Sequence, residues 1–161
     1  NQKDIEFAIN IETITAYQNI DEILALEKLD ILKSITIGRV DLTASMGKDR
    51  TFANSDEMLE MCTDIFRKCK EKELRTAIGG AVSPESKDFL TTLVSEKLID
   101  KYETRKTVYE ANAIHTIDEG LKAGILFELL WLKSKRRYYH RIKGEDEKRI
   151  TMLETRIGEN T

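Results

Sequence analysis

The sequence predicts an α/β fold: a parallel sheet with helices packed outside it, then a wholly helical C-terminal region. Three observations carry this. Four short apolar runs alternate with helical patterns over residues 6–104, and strand–helix alternation of this kind builds parallel sheets. Four such units fall short of the eight strands and about 250 residues of a closed barrel, so the chain makes either an open sheet or half of a barrel. Beyond residue 110 the pattern turns helical. The division expected is residues 1–110 with four βα units, and 111–161 as a helical extension for packing or oligomerisation.

The first run, EFAINIE (6–12), alternates Phe7, Ile9 and Ile11 and ends in a carboxylate, Glu12. TAYQNIDEILALEKL (15–29) follows, where Ile20, Ile23, Leu24 and Leu26 form a helical face. SITIGRV (34–40), rich in β-branched residues, is the second strand, with DLTASMG a short turn or helix after it. Asn54, with Glu57 three residues on, reads as the N-cap of a helix reaching about Glu73. RTAIGG (75–80) is the third strand and ends on paired glycines. In SPES, Ser83 is expected as N-cap and Pro84 at the first helical position, opening a helix through Lys97. IDKYET (99–104) is a weaker fourth strand. Residues 116–142 read as one long helix, Gly144 as its break, and 145–157 as a second helix with Ile150, Leu153 and Ile157 on one face. Residues 125–132 are apolar nearly all round, so neighbouring elements or a partner subunit should cover them.

Composition narrows the class. With 161 residues, 40% apolar and 34% charged, the chain can build one domain with a real core and a helix-rich surface. Its net charge of −3 gives no overall bias toward nucleic acid or acidic membranes. Cys62 and Cys69 lie two helical turns apart, roughly 10 Å along the axis and too far for a disulfide. Reduced thiols and a cytoplasmic setting fit that spacing. The longest run poor in charge, ILFELLWL (125–132), includes Glu128 and is well short of the roughly 20 residues of a membrane span. The N-terminus shows no initiator Met, basic leader or cleavage site and opens beside a strand, which reads as a fragment or processed chain.

Ligands of parallel α/β sheets bind at the carboxyl ends of the strands. The residues there are Glu12; Gly38, Arg39 and Asp41; Gly79 and Gly80; and Glu103 with Thr104, Arg105 and Lys106. Glu12 and Asp41 are 29 residues apart, the length of one helix with its connections. On neighbouring strands, about 4.8 Å apart, their carboxylates would meet at one rim and share a cation. Two acids without His or Cys make a hard oxygen site, suited to Mg²⁺ or Mn²⁺. A purely structural reading stands beside this one: Asp41 as an N-cap before LTAS, Thr13 or Thr15 as the cap of the first helix, and Glu12 complementing that helix's positive end. Gly79 and Gly80 permit either close approach of a substrate or a tight turn.

Two segments in order carry a resemblance. INIETITAYQNIDEIL contains Ile11, Glu12, Thr13, Ala16, Asn19, Asp21, Glu22 and Ile23 in an I-E-T-x-x-A-x-x-N-x-D-E-I pattern. ITIGRVDLTASMG, some twenty residues on, contains Gly38, Asp41, Leu42, Ser45 and Gly47 as G-x-x-D-L-x-x-S-x-G. Together they resemble the HpcH/HpaI aldolase/citrate lyase family over about residues 5–95. The resemblance implies a (β/α)₈ TIM-type barrel, of which this chain is the C-terminal half with a long helical C-terminal extension. It also implies that Glu12 and Asp41 are ligands of a divalent metal, Mg²⁺ or Mn²⁺, which chelates a 2-oxo acid or related carboxylate. The chemistry implied is carbon–carbon cleavage or formation through an enolate, with the metal as Lewis acid. Asn10, one strand-face step before Glu12, orients the site on this reading, and Gly38, Arg39, Gly79 and Gly80 are its substrate contacts. The family's enolate-stabilising Arg and, in many aldolases, its catalytic His belong to the N-terminal half, so no catalytic residue is assigned. Arg39 stands where the family often has a small or polar residue; it adds positive charge for a substrate carboxylate or phosphate, or pairs with a neighbouring acid.

Residues 133–143, KSKRRYYHRIK, hold six Lys/Arg and no acid, interleaved with Tyr138, Tyr139 and His140. Such stretches can grip nucleic acid, but GEDE follows at once. A solvated helix face, or contact with the acidic part of another subunit, is the stronger expectation. His115 is expected at a helix boundary, and Gly120 and Gly124 in ordinary packing. The rival to a lyase is a non-catalytic half-barrel serving as scaffold or assembly protein. Alone, it would expose an edge strand and an apolar sheet face, which a homo-oligomer or a complementary N-terminal half would cover. An open flavodoxin-like nucleotide fold is disfavoured, because no Gly-rich phosphate loop follows the first strand. The partners expected are therefore a small-molecule carboxylate and a second subunit or half, with no membrane and no nucleic acid.

Overall fold

The computed structural model describes residues 5–157, with the backbone alone at residue 157. Two compact units divide the chain, Asn1–Gly124 and Ile125–Thr161. In the first unit five strands form one sheet in sequence order: β1 (Phe7–Ile11), β2 (Leu32–Gly38), β3 (Arg75–Gly79), β4 (Lys101–Glu103) and β5 (Val108–Glu110). The first four run parallel, and β5 turns back antiparallel on β4. Helices α1 (Ile14–Gln18) and α2 (Ile20–Leu24) connect β1 to β2, α3 (Arg39–Ser45) and α4 (Asp56–Glu71) connect β2 to β3, and α5 (Lys87–Ser95) connects β3 to β4. The expected fourth βα unit does not form. After β4 the chain reverses instead, with the Thr104 N–H bonded to the Thr107 carbonyl at 2.8 Å. A strand as short as β5 shows too little alternation to be read from sequence. The result is an α/β fold with a mixed sheet, consistent with part of a barrel; the described residues do not close one.

Register decides which face is which. Ile9 lies beside Ile35, Ile11 beside Ile37, Ile37 beside Ile78, and Ile78 beside Tyr102. Side chains alternate across a strand, so these residues share one face. That face is the core, closed by Ile20, Leu24, Met58, Ile65, Phe66, Leu90 and Leu93 from the helices. The other face carries Asn10, Glu12, Ser34, Thr36, Ala77, Lys101 and Glu103, none of them buried. The open face is thus small and polar, not apolar as expected. One covered face is enough to bury the branched residues, which leaves the other free for polar ones.

Local chemistry moves several boundaries. The helix expected over 15–29 is two short ones, interrupted at Asn19, whose N–H bonds to the Thr15 and Tyr17 carbonyls. Thr13 rather than Thr15 caps α1, its Oγ1 accepting the Ala16 N–H at 3.1 Å. β2 closes at Gly38, so Arg39 and Val40, expected in the strand, open α3 instead. Asp41 is therefore the third residue of α3 and not its N-cap. Ser55 caps α4, accepting the Met58 N–H at 3.2 Å; Asn54, the expected cap, directs its Oδ1 to Arg39. Pro84 opens a short 3₁₀ turn, Pro84–Ser86, that leads into α5. On α4, Met58, Met61, Cys62, Ile65, Phe66 and Cys69 form one buried stripe, and both cysteines are free thiols.

His115 lies in a 3₁₀ turn, Ala111–Thr116, just before α6 (Ile117–Ile157). Gly120 and Gly124 at the start of α6 make room for Tyr109, whose hydroxyl donates to the Gly120 carbonyl at 2.9 Å. The described part of the second unit is helix throughout. Gly144 does not break it, although glycine there costs about 1 kcal/mol relative to alanine. Ile125, Leu126, Phe127, Leu129, Leu130 and Leu132 are all exposed in the single chain. Among the described residues no helix is long and apolar enough to cross a membrane.

Candidate functional site

One row of residues crosses the open face at the carboxyl ends of the four parallel strands. Gly38 pairs with Gly79, and the residues next to them on β1 and β4 carry the chain into Glu12 and Glu103. The row therefore reads Glu12, Gly38, Gly79, Glu103, with side chains only at its two ends. Both carboxylates lean over the glycine beside them. A β-carbon on Gly38 would stand 2.6 Å from Glu12 Oε1, and one on Gly79 would stand 3.2 Å from Glu103 Oε1. Adjacent strands are about 4.8 Å apart, so the two glycines floor a narrow gap with an acid at each side.

Asn10, on the same face, donates from Nδ2 to Glu12 Oε1 at 3.1 Å. That bond orients one oxygen of the carboxylate. Glu103 has no hydrogen-bond donor among the described residues, and burial raises its pKa above the ordinary carboxylate value. It stood in view in the sequence as a strand-end acid, but nothing in its spacing linked it to Glu12.

Asp41 lies on α3, the helix that follows β2. It is exposed, in the first turn of that helix. Four residues later Ser45 lies on the same helix face, and its Oγ accepts the Ile14 N–H at 2.8 Å while donating to the Leu42 carbonyl at 2.7 Å. Ile14 is two residues beyond Glu12. Ser45 thus ties the exit of β1 to the side of α3 that carries Asp41, a role its place in the sequence motif did not reveal. Among the described residues no group of three or more His, Cys, Asp or Glu is arranged to hold a metal ion.

Arg39 departs from its expected place at the rim. It was expected to face a substrate or an acid, and it does neither: the side chain is fully buried beneath the rim. Its Nε donates to the Gly79 carbonyl at 3.3 Å, and Nη1 donates to the Ala53 carbonyl at 3.0 Å and to Asn54 Oδ1 at 2.7 Å. The guanidinium also lies 4.5 Å from the centre of the Phe89 ring. Burial lowers its pKa to about 10, so it stays cationic at neutral pH. Gly80 serves the same joint. With φ of +77°, it brings its α-carbon so close to α3 that a β-carbon would stand 2.7 Å from the Val40 nitrogen. Of the two readings for the paired glycines, Gly79 opens space in the row and Gly80 makes the tight turn.

With this geometry in hand, comparison with known proteins is specific. The family description HpcH/HpaI aldolase/citrate lyase matches residues 1–88, more than half of the chain. The chain belongs to the HpcH/HpaI aldolase/citrate lyase family. The match contains Glu12, Asp41, Ser45, both row glycines and Gly80; Glu103 lies outside it. Among solved structures the chain resembles the HpcH/HpaI aldolase from Desulfitobacterium hafniense DCB-2 at 17% identity, with a TM-score of 0.50. That alignment covers 76% of this chain and 43% of the aldolase, so the chain spans less than half the length of its solved relative. At that identity the likeness is one of fold. No curated protein matches the sequence.

Proposed function

We propose that this chain is the cation-holding portion of a carbon–carbon lyase, in which Glu12 and Asp41 hold Mg²⁺ or Mn²⁺ and a 2-oxo acid or related carboxylate binds over Gly38 and Gly79. Family membership supports lyase chemistry. The observation that carries the assignment to these residues is the Ser45 tether, which joins the segment after Glu12 to the helix face of Asp41. The donor set fits the ion: Mg²⁺ is ordinarily held by one or two carboxylates, with water and substrate oxygens completing its shell. When bound, such an ion would polarise a substrate carbonyl and offset the negative charge that builds on its oxygen.

The chain's own residues do the rest of the work assigned here. Asn10 fixes one Glu12 oxygen. Gly38 keeps the space into which that carboxylate leans. Arg39, cationic under the rim, holds the Gly79 carbonyl and so the floor on which the substrate would rest. The groups that move the substrate's proton belong to the remainder of a complete barrel.

A thermal-shift titration with Mg²⁺ and Mn²⁺ tests this. The intact chain should gain melting temperature with either ion; a ligand at ten times its dissociation constant stabilises by about 1.4 kcal/mol. Glu12→Ala and Asp41→Ala should each abolish that gain. A cation-dependent shift that survives both substitutions would refute the assignment.

A further inference from the structure

The second unit carries a surface that no part of the lyase reading uses. From residue 125 onward, positions spaced alternately four and three apart are Ile125, Leu129, Leu132, Arg136, Tyr139, Lys143, Asp146, Ile150 and Leu153. This is a seven-residue repeat on an unbroken helix, the spacing that holds one stripe toward a partner in a coiled coil. Its six apolar members are between 42% and 56% exposed. The apolar positions cluster toward the two ends of the stripe, and the three charged ones lie between them.

Turn a second copy of the helix end over end about residue 141, and each stripe position meets another stripe position. Leu129 faces Leu153, Leu132 faces Ile150, Arg136 faces Asp146, and Tyr139 faces Lys143; Ile125 faces the helix end at position 157. Apolar meets apolar, the one acid of the stripe meets an arginine, and the remaining cation meets an aromatic ring. Of the positions flanking the seam, Lys133 lies opposite Glu147 and Glu128 opposite Arg156, while Lys135 lies opposite Arg149. The parallel alternative sets Arg136 on Arg136, Lys143 on Lys143 and Asp146 on Asp146, and like charges across a seam repel. The basic stretch 133–143 and the acidic stretch that follows it on the same helix then have one explanation: each complements the other on a neighbouring chain.

We infer that residues 125–157 form an antiparallel two-stranded coiled coil with a second copy of this chain, centred on residue 141. The paired length is about 50 Å at 1.5 Å per residue, long enough for an independent coiled coil of more than four heptads.

The experiment is sedimentation velocity and equilibrium on the full chain and three variants. Wild type should be a dimer across the micromolar range. Arg136→Asp and Asp146→Arg alone should each weaken dimerisation by about tenfold or more, because each sets like charges face to face. The double variant should restore it to within about threefold of wild type, since the pair is merely exchanged. Far-ultraviolet circular dichroism checks that all four proteins keep their helix. A wild-type monomer, a larger assembly, or single substitutions that leave the dimer intact would each overturn the inference. So would capture of the monomer on phosphatidylserine vesicles with no dimer formed, which would give the basic and apolar stretches to a lipid surface.

Discussion

Two carboxylates three residues apart, at opposite ends of β4, meet opposite fates. Asp100, just before the strand, accepts from Lys70 Nζ at 2.6 Å and from the Thr76 N–H at 2.7 Å. Burial works to raise its pKa, but the bonds from Lys70 and Thr76 outweigh that and hold it below the ordinary aspartate value. Glu103, at the other end, finds no donor among the described residues, and burial pushes it up unopposed. The amino end of β4 is thus tied shut by a satisfied acid, while its carboxyl end leaves Glu103 without a donor beside the glycine floor. A carboxylate whose demands are met inside the chain is structure; one left open, at the edge where ligands bind, is a candidate for function.

Four substitutions test that contrast, from the largest expected effect to the smallest. Gly80→Ala should cost about 3 kcal/mol in urea denaturation, because it combines a left-handed backbone with a β-carbon driven into the start of α3. A loss under about 1 kcal/mol would show that the joint between β3 and α3 is not held there. Asp100→Ala should cost about 2 kcal/mol, leaving the nearly fully buried Thr76 without its acceptor. Because the folded pKa of Asp100 is lowered, its contribution is present above the unfolded value of about 3.9 and is lost as pH falls through the lower folded value. The gap between wild type and Asp100→Ala should therefore narrow only in strong acid, which an acid-denaturation series reads directly.

Gly38→Ala should change stability by less than about 1 kcal/mol, since the colliding Glu12 side chain can swing away. It should nevertheless abolish the cation-dependent melting shift, and a retained shift would remove Glu12 from the cation site. Glu103→Gln should stabilise at pH 7 by under about 1 kcal/mol. The raised folded pKa means that wild type gains stability as pH falls from the raised value toward the ordinary one. The advantage of the glutamine variant should disappear over that window, and an advantage that persists below it would have another cause.

The sequence made the first three strands and their terminal residues legible, because alternation of Ile with small or polar residues is strong and each strand ends at a glycine or an acid. Glu12 stood out as a strand-end acid for the same reason, whereas Asp41 lies inside α3, three residues past the end of β2. Arg39 could not: its neutral cage comes from Ala53, Asn54 and Gly79, fourteen to forty residues away, and none of these announces itself as a guanidinium partner. β5 escaped notice because three residues carry no period. Gly144 misled because a lone glycine in a well-supported helix costs little enough for the helix to continue. Asn19 misled in the other direction, since an apolar stripe through 15–29 concealed a polar residue suited to ending one helix and starting the next.

The stripe on α4 has one more consequence. Cys62 and Cys69 are both wholly enclosed, and burial pushes their thiols up to about 12. Neither sulfur presents a thiolate or a surface to an alkylating reagent while the helix stays docked. The rate at which iodoacetamide consumes these two sulfurs is therefore a clock for the opening of the central layer, installed by the chain itself and readable by mass spectrometry without a label.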